Sequence, residues 1–92
     1  MAIFAIIKQP GANSDRLEGA IHEKYPGAVY GLDNGAWLVA DTGTAKDVSD
    51  RLMITGGENG SGIVVEFASY FGRANPAIWT WIKANWEGPV SG

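Results

Sequence analysis

The chain has 92 residues, of which 46% are hydrophobic and 18% charged, and its formal net charge is −3 at pH 7. This length predicts a single domain over residues 1–92, and the acidic charge disfavours non-specific nucleic-acid binding, which requires a basic surface. The chain has no cysteine, so a disulfide framework and thiolate chemistry are excluded and the cytoplasm is the expected compartment. Its apolar runs are too short for a membrane span or a signal peptide.

The chain begins with a predicted strand and a predicted helix. Ala2 to Lys8 is apolar on both faces, which indicates a central strand. The helix that follows has Asn13 or Ser14 as its N-cap. Its apolar stripe consists of Leu17, Ala20, Ile21 and Tyr25.

Two short strands follow, Ala28 to Leu32 and Ala36 to Ala40. The segment 33–35, with Asn and Gly side by side, is the strongest short-range hairpin signal in the chain. We interpret Trp37 as core packing on the face of the sheet.

The next predicted helix opens with Thr44, and Asp47 three residues later completes a capping box with Asp in place of Glu. Its apolar face consists of Ala45, Val48 and Leu52. The glycine-rich segment 55–62 then invites comparison with a phosphate-binding loop. It follows a helix, enters a strand and carries Glu58, whereas a phosphate loop follows a strand and opens a helix. We therefore interpret it as a mobile connector.

Ile63 to Tyr70 shows the clearest strand pattern, with β-branched and aromatic residues in alternation. Both faces carry apolar groups, which predicts an interior strand. Glu66 interrupts one face. It is either a carboxylate at the sheet margin or a buried acid with a raised pKa in a site.

The last predicted helix starts at Asn75, an N-cap followed by Pro at the first helical position, and runs to about Trp86. Trp81 lies on its flank. Residues 88–92 are predicted to be a frayed tail. The core face of the helix consists of Ile78, Trp79, Ile82 and Trp86.

This order of elements predicts an α+β domain with a ferredoxin-like βαββαβ arrangement: a four-stranded antiparallel sheet, two helices on one face, and an added C-terminal helix. We expect the first and last strands to be central. The added helix either caps an edge, covers part of the open sheet face or docks on a neighbour.

Four segments carry a resemblance to a known group of proteins: GAWLVA at 35–40, TAKDVSDRL at 44–52, IVVEF at 63–67 and WTWIK at 79–83. In element order and apolar positions the chain resembles the small SinR-like proteins and, more distantly, the CRISPR-associated ferredoxin-like endoribonucleases. The resemblance implies a homodimer formed through the sheet and a bacterial or phage source. Those endoribonucleases place an acid at the end of the first strand, where this chain has Lys8, Gln9 and Pro10, so no catalytic residue is carried over.

The inventory of catalytic groups is nearly empty. His22, the single histidine, lies off the apolar stripe of its helix, so we expect it in solvent. With no cysteine and no adjacent acid pair it makes no metal site, and no cofactor is predicted. Glu66 and Asp41 have no spacing that pairs them with a base, so a small-molecule enzyme is the least favoured class.

Four side chains remain as candidate binding residues: Tyr70, Phe71, Arg73 and Trp81. Aromatic residues and arginine are enriched at interface hot spots, so the sequence predicts a non-enzymatic interaction or regulatory module, homodimeric or bound to another protein and linked to prokaryotic or phage defence. In one alternative these aromatics pack under the third helix. In another they stack on bases in an RNA- or nucleotide-binding protein with possible nuclease activity.

Overall fold

A computed structural model of the chain describes residues 1–11, 14–32 and 35–86. It is an α+β structure with one open, four-stranded antiparallel sheet and three helices. The predicted N-cap Asn13, the turn residues 33–34 and the tail 88–92 lie outside the described residues. The elements are β1 (Ala2–Lys8), α1 (Ser14–Lys24), β2 (Val29–Gly31), β3 (Ala36–Asp41), α2 (Ala45–Arg51), β4 (Gly62–Glu66) and α3 (Pro76–Asn85).

The strands lie in the order β2-β3-β1-β4, and every neighbouring pair is antiparallel. β1 is central, as its apolarity on both faces predicted. Its register with β3 runs from Ala2 opposite Asp41 to Ile7 opposite Ala36. Since β1 and β2 are both antiparallel to β3, they are parallel to each other with β3 between them.

The prediction of an interior strand from Ile63 to Tyr70 is wrong in two respects. β4 is an edge strand that pairs only with β1 among the described strands, and it ends at Glu66. The N–H of Phe67 still donates to the carbonyl of Ile3 at 2.9 Å, after which the chain leaves the sheet. The alternation ends with the strand: Phe67 and Tyr70 belong to the same apolar cluster, and the ring of Tyr70 packs against the tryptophans of α3 rather than beside another strand.

One face of the sheet, here called the covered face, is packed under α1 and α2. The predicted stripe of α1 is confirmed, with Leu17 and Ile21 fully buried, and Trp37 lies in the same core. The capping box of Thr44 and Asp47 is also present, and it fixes the start of α2. The other buried members of this core are Phe4, Ile6, Ala20, Tyr25, Val39, Val48, Leu52 and Ile54.

The opposite face, here called the half-covered face, carries α3. Asn75 caps this helix as predicted, accepting a 2.9 Å hydrogen bond from the N–H of Ala77. Of the three positions considered for the added helix, the structure shows partial cover of the open sheet face. Ile82 is buried there against Ile3, Leu38 and Ala40. No helix within the described residues is long and apolar enough to cross a bilayer.

The glycine-rich connector between α2 and β4 is a series of tight turns around Asn59. The backbone N–H of this buried residue donates to the carbonyl of Met53 at 3.1 Å, and its Nδ2 donates to the carbonyl of Leu52 at 2.8 Å. Met53 itself has a positive φ of 57°. The segment therefore has an internal hydrogen-bonding pattern that its composition did not predict.

Candidate interaction surface

Three large aliphatic side chains form an uncovered strip on the half-covered face. Ile7 is 39% exposed, Ile63 47% and Val65 45%. Ile7 and Ile63 are direct cross-strand partners, and Val65 lies opposite Ala5 one row further along the sheet. We call Ile7, Ile63 and Val65 the open strip.

The open strip results from the alternation of side chains between the two faces of a strand. Alternate residues of β1 and β4, such as Ile6 and Val64, point to the covered face and contact its core, so their neighbours must point the other way. Full burial of an aliphatic side chain contributes about 1.5–3 kcal/mol. α3 leaves these three side chains about half exposed, so much of that free energy is available for association.

A shallow apolar groove of about 390 Å³ lies next to the strip. Leu38 forms part of it and is the cross-strand partner of Ala5, which in turn lies opposite Val65. Leu38 is itself buried, but Phe67, two residues after Val65, also lines the groove, so the groove begins beside the end of the open strip. The other main lining residues of the groove are Tyr70, Phe71, Ile78 and Trp79.

The segment between β4 and α3 presents Phe71, whose side chain is 98% exposed. The next residue, Gly72, has a positive φ of 153°, a backbone conformation that residues with a side chain rarely adopt. Arg73 is also exposed. An almost fully exposed phenylalanine beside an apolar groove is a feature of binding surfaces rather than of a packed core.

The other two candidate residues are tied to the docking of α3. The ring of Tyr70 stacks on Trp79 with centroids 5.6 Å apart and meets Trp86 edge-on at 5.3 Å. Trp81 packs against Tyr30 at 6.1 Å. The surroundings of Tyr70 and Trp81 fit the alternative in which these aromatics pack with the third helix. Phe71 and Arg73 remain at the surface.

The backbone N–H and carbonyl groups of β4 alternate between pointing to β1 and pointing away from the sheet. The N–H of Phe67 donates to Ile3, and the N–H of Gln9 donates to the carbonyl of Ser61 at 3.0 Å. Odd-numbered backbone groups of β4 therefore point to β1, and even-numbered groups point away from the sheet, because the directions alternate along a strand. The outward-pointing residues are Gly62, Val64 and Glu66.

Ionisable groups meet in one place on the covered face. The Tyr25 hydroxyl donates to Oδ2 of Asp41 at 2.7 Å, the N–H of Gly43 donates to Oδ1 at 2.9 Å, and Arg51 pairs with the same carboxylate. Burial raises the pKa of Asp41, but these hydrogen bonds and the positive charge outweigh it and hold the pKa below its usual value. Every oxygen of this carboxylate is occupied, so the cluster ties three elements together and offers no free catalytic group.

The other sequence candidates for chemistry are dispersed. His22 is exposed on α1, as predicted, and Glu66 is exposed at the end of the edge strand, which fits a carboxylate at the sheet margin. A second pocket of about 220 Å³ is lined by Lys8, Asp15, Glu18 and Trp37, among others. Within the described residues no group of three acids or histidines is placed to hold a metal ion.

Comparisons of the chain with protein-family models, with curated proteins and with solved structures gave no match. The open strip is the feature that reasoning from the sequence missed. The sequence pattern places Ile63 and Val65 on the same face of the strand, but the prediction of an interior strand implied that both are buried.

Proposed function

We propose that the protein is a small interaction module that forms a homodimer at the open strip on its half-covered face. The observation that carries this proposal is the open strip, three aliphatic side chains left uncovered on a sheet whose opposite face is packed under α1 and α2. The strip lies beside an apolar groove and on the same face as the segment that bears Phe71. A self-complementary surface of this kind suits a two-fold dimer.

The strand order supports the finer assignment of a ferredoxin-like fold. β1 and β2 are parallel and separated by β3, and α1 connects them in sequence, which is the split βαβ pattern. We extend the proposal to a regulatory role in prokaryotic or phage defence, as the SinR-like resemblance implies.

A specific interface buries about 800 Å² per partner, which is about 15% of the 5478 Å² of accessible surface. One aromatic side chain buries about 150–250 Å², so Phe71 would supply a substantial part. The open strip, the groove and Arg73 at the rim would add to this area.

Light scattering on a sizing column, at micromolar and at near-millimolar concentrations, tests this proposal. We expect a dimer for the wild-type chain and a monomer for Ile63→Glu, because a carboxylate would be desolvated at the interface. The matched control is His22→Glu, which adds the same acid to an exposed position on α1, behind the covered face. A wild-type monomer at every concentration would refute the homodimer, and a dimer that survives Ile63→Glu would refute the open strip as its interface.

RNA binding is a second candidate because Phe71 and Arg73 are both exposed two residues apart. An aromatic ring and a guanidinium can stack on unpaired bases. Fluorescence anisotropy with a labelled single-stranded RNA would show salt-dependent binding that Phe71→Ala weakens. Absence of binding at low salt would remove this candidate and leave the interaction module.

A further inference from the structure

We propose that the dimer forms by antiparallel pairing of the β4 edges of two copies, centred on Val64, into one continuous eight-stranded sheet. The inference rests on the proposed homodimer and specifies which surfaces meet. The second copy is the occupant of an edge that no described strand covers. Four strands from each subunit would then share a single hydrogen-bonded sheet.

The first argument is a conflict between the sequence and the subunit. Gly62–Glu66 has the composition of an interior strand, with β-branched residues on both faces. In the subunit it is an edge strand with Ile63 and Val65 exposed. Pairing with a second copy makes β4 interior, and its composition and position then agree.

The second argument is the lack of protection at this edge. Natural edge strands usually carry lysine, proline, a bulge or an inward charge that prevents pairing with another chain. β4 has no lysine or proline, and its register with β1 is uninterrupted from Gly62 to Glu66. The single charge is that of Glu66 at the end of the strand. An unprotected apolar edge of this kind is suited to a partner strand.

The third argument is the register. The outward backbone groups belong to Gly62, Val64 and Glu66, so only a register that pairs even-numbered residues with even-numbered residues forms hydrogen bonds. Centring on Val64 uses all five residues of the strand. A slip by two residues reduces the pairing to three residues, either 62–64 or 64–66. The second of these also brings the two copies of Glu66 closer to each other, which like charges oppose.

The side chains suit this register. Ile63 would lie opposite the partner's Val65 in a non-hydrogen-bonded pair, where side chains are closest. Glu66 would lie opposite the partner's Gly62, so no like charges face each other. The two open strips would meet across the seam and form one apolar surface on the half-covered face.

Cysteine cross-linking tests the register directly, because the chain has no cysteine of its own. Ile63→Cys protein is mixed with Val65→Cys protein under mild oxidation, and each is also oxidised alone. We expect an interchain disulfide in the mixture, since directly opposed Cα atoms lie about 4.5 Å apart. Each protein alone should cross-link poorly, because diagonal residues are about 7–8 Å apart, beyond the reach of a disulfide. Equal cross-linking in all three samples would refute the register.

A proline at the seam tests the backbone pairing. Val64→Pro removes one outward N–H, and an edge strand tolerates proline when that N–H faces away from its neighbour. Val64→Thr keeps the N–H and a β-branched side chain and is the control. We expect Val64→Pro to weaken dimerisation about tenfold or more with an unchanged circular dichroism spectrum, and Val64→Thr to dimerise as the wild type does.

The outcomes separate the inference from the proposed function. If Ile63→Glu dissociates the dimer while Val64→Pro leaves it intact and the cysteine mixture fails to cross-link, the subunits meet through the half-covered face without edge pairing, and only the inference is refuted. If the wild-type chain is monomeric, both fail. Dissociation by Val64→Pro together with selective cross-linking in the mixture supports both.

Discussion

The hydroxyl of Tyr25, just after α1, donates a 2.7 Å hydrogen bond to a carboxylate oxygen of Asp41, the last residue of β3. Arg51, the last residue of α2, pairs with the same carboxylate. Asp41 is only 7% exposed, so its charge depends on these partners for solvation. One buried carboxylate thus joins the two helices of the covered face to the sheet.

Tyr25→Phe should lower the free energy of unfolding by about 1–3 kcal/mol, because a buried acceptor loses its donor while the ring and its packing remain. Urea denaturation at neutral pH measures this. Tyr30→Phe is the matched control, since Tyr30 is half-buried on the other face against Trp81. We expect that change to stay within about 0.5 kcal/mol. Equal effects of the two substitutions would contradict the assigned role of the Tyr25 hydroxyl.

The pKa shift of Asp41 predicts a loss of stability in acid. Its folded pKa is lowered, so its contribution is complete above the unfolded pKa of about 4 and decreases as the pH falls through the folded value. Urea midpoints between neutral pH and about pH 2 should therefore fall, and should fall less for Asp41→Asn, which lacks the titrating group. Parallel pH profiles for the two proteins would be inconsistent with this assignment.

The hydrogen bond between Tyr25 and Asp41 also predicts a loss of folding stability in alkali. Burial and the hydrogen bond to Asp41 raise the pKa of Tyr25 to about 12. A raised folded pKa gives stability that is complete below the unfolded value of about 10 and is lost as the pH rises through the folded value. The alkaline limb of the wild-type profile should therefore be steeper than that of Tyr25→Phe.

Asn59 is predicted to stabilise the connector before β4. Asn59→Ala removes the donor to the Leu52 carbonyl and leaves a buried polar group unpaired, which costs about 1–3 kcal/mol. Glu58→Ala, at the adjacent exposed position, should change the unfolding free energy by no more than about 0.5 kcal/mol. Hydrogen exchange would also show faster amide exchange near Asn59 in the first variant. No difference between the two would argue against an ordered connector.

Docking of α3 depends on Ile82, which is 1% exposed against the sheet. Ile82→Ala should cost about 2–5 kcal/mol through lost burial and the cavity it leaves. Lys83→Ala, at the exposed neighbouring position, keeps the helix and its contacts and should be nearly neutral. The tryptophan fluorescence of the first variant should shift to longer wavelength if α3 detaches. Retained stability in Ile82→Ala would contradict the packing of this helix on the sheet.

Local signals in the sequence predicted the helix starts well. The capping box at Thr44 and the Asn75 cap are decided within three residues of the chain, so they can be read directly. The centrality of β1 was also readable, because both of its faces are apolar. The edge position of β4 could not be predicted in this way. Apolar residues on both faces of a strand do not show whether they pack against a helix, a further strand or another subunit.

The candidate surface was predicted only in part. Phe71 and Arg73 are exposed, whereas Tyr70 and Trp81 contact aromatic residues brought close by the path of α3. Which aromatics stay in solvent depends on where that helix docks on the sheet. The open strip depends on the same placement, since the helix covers one end of the face and leaves the other end bare.

The far margin of the sheet is β2, only three residues long. A strand of that length offers few backbone groups to another chain, and short edge strands are one way in which proteins avoid adding further strands. Of the two margins, the β4 side is therefore the one better suited to adding a strand. A two-fold pairing there would occupy the β4 edge of both copies. Assembly would then stop at a closed dimer instead of growing into fibres at high concentration.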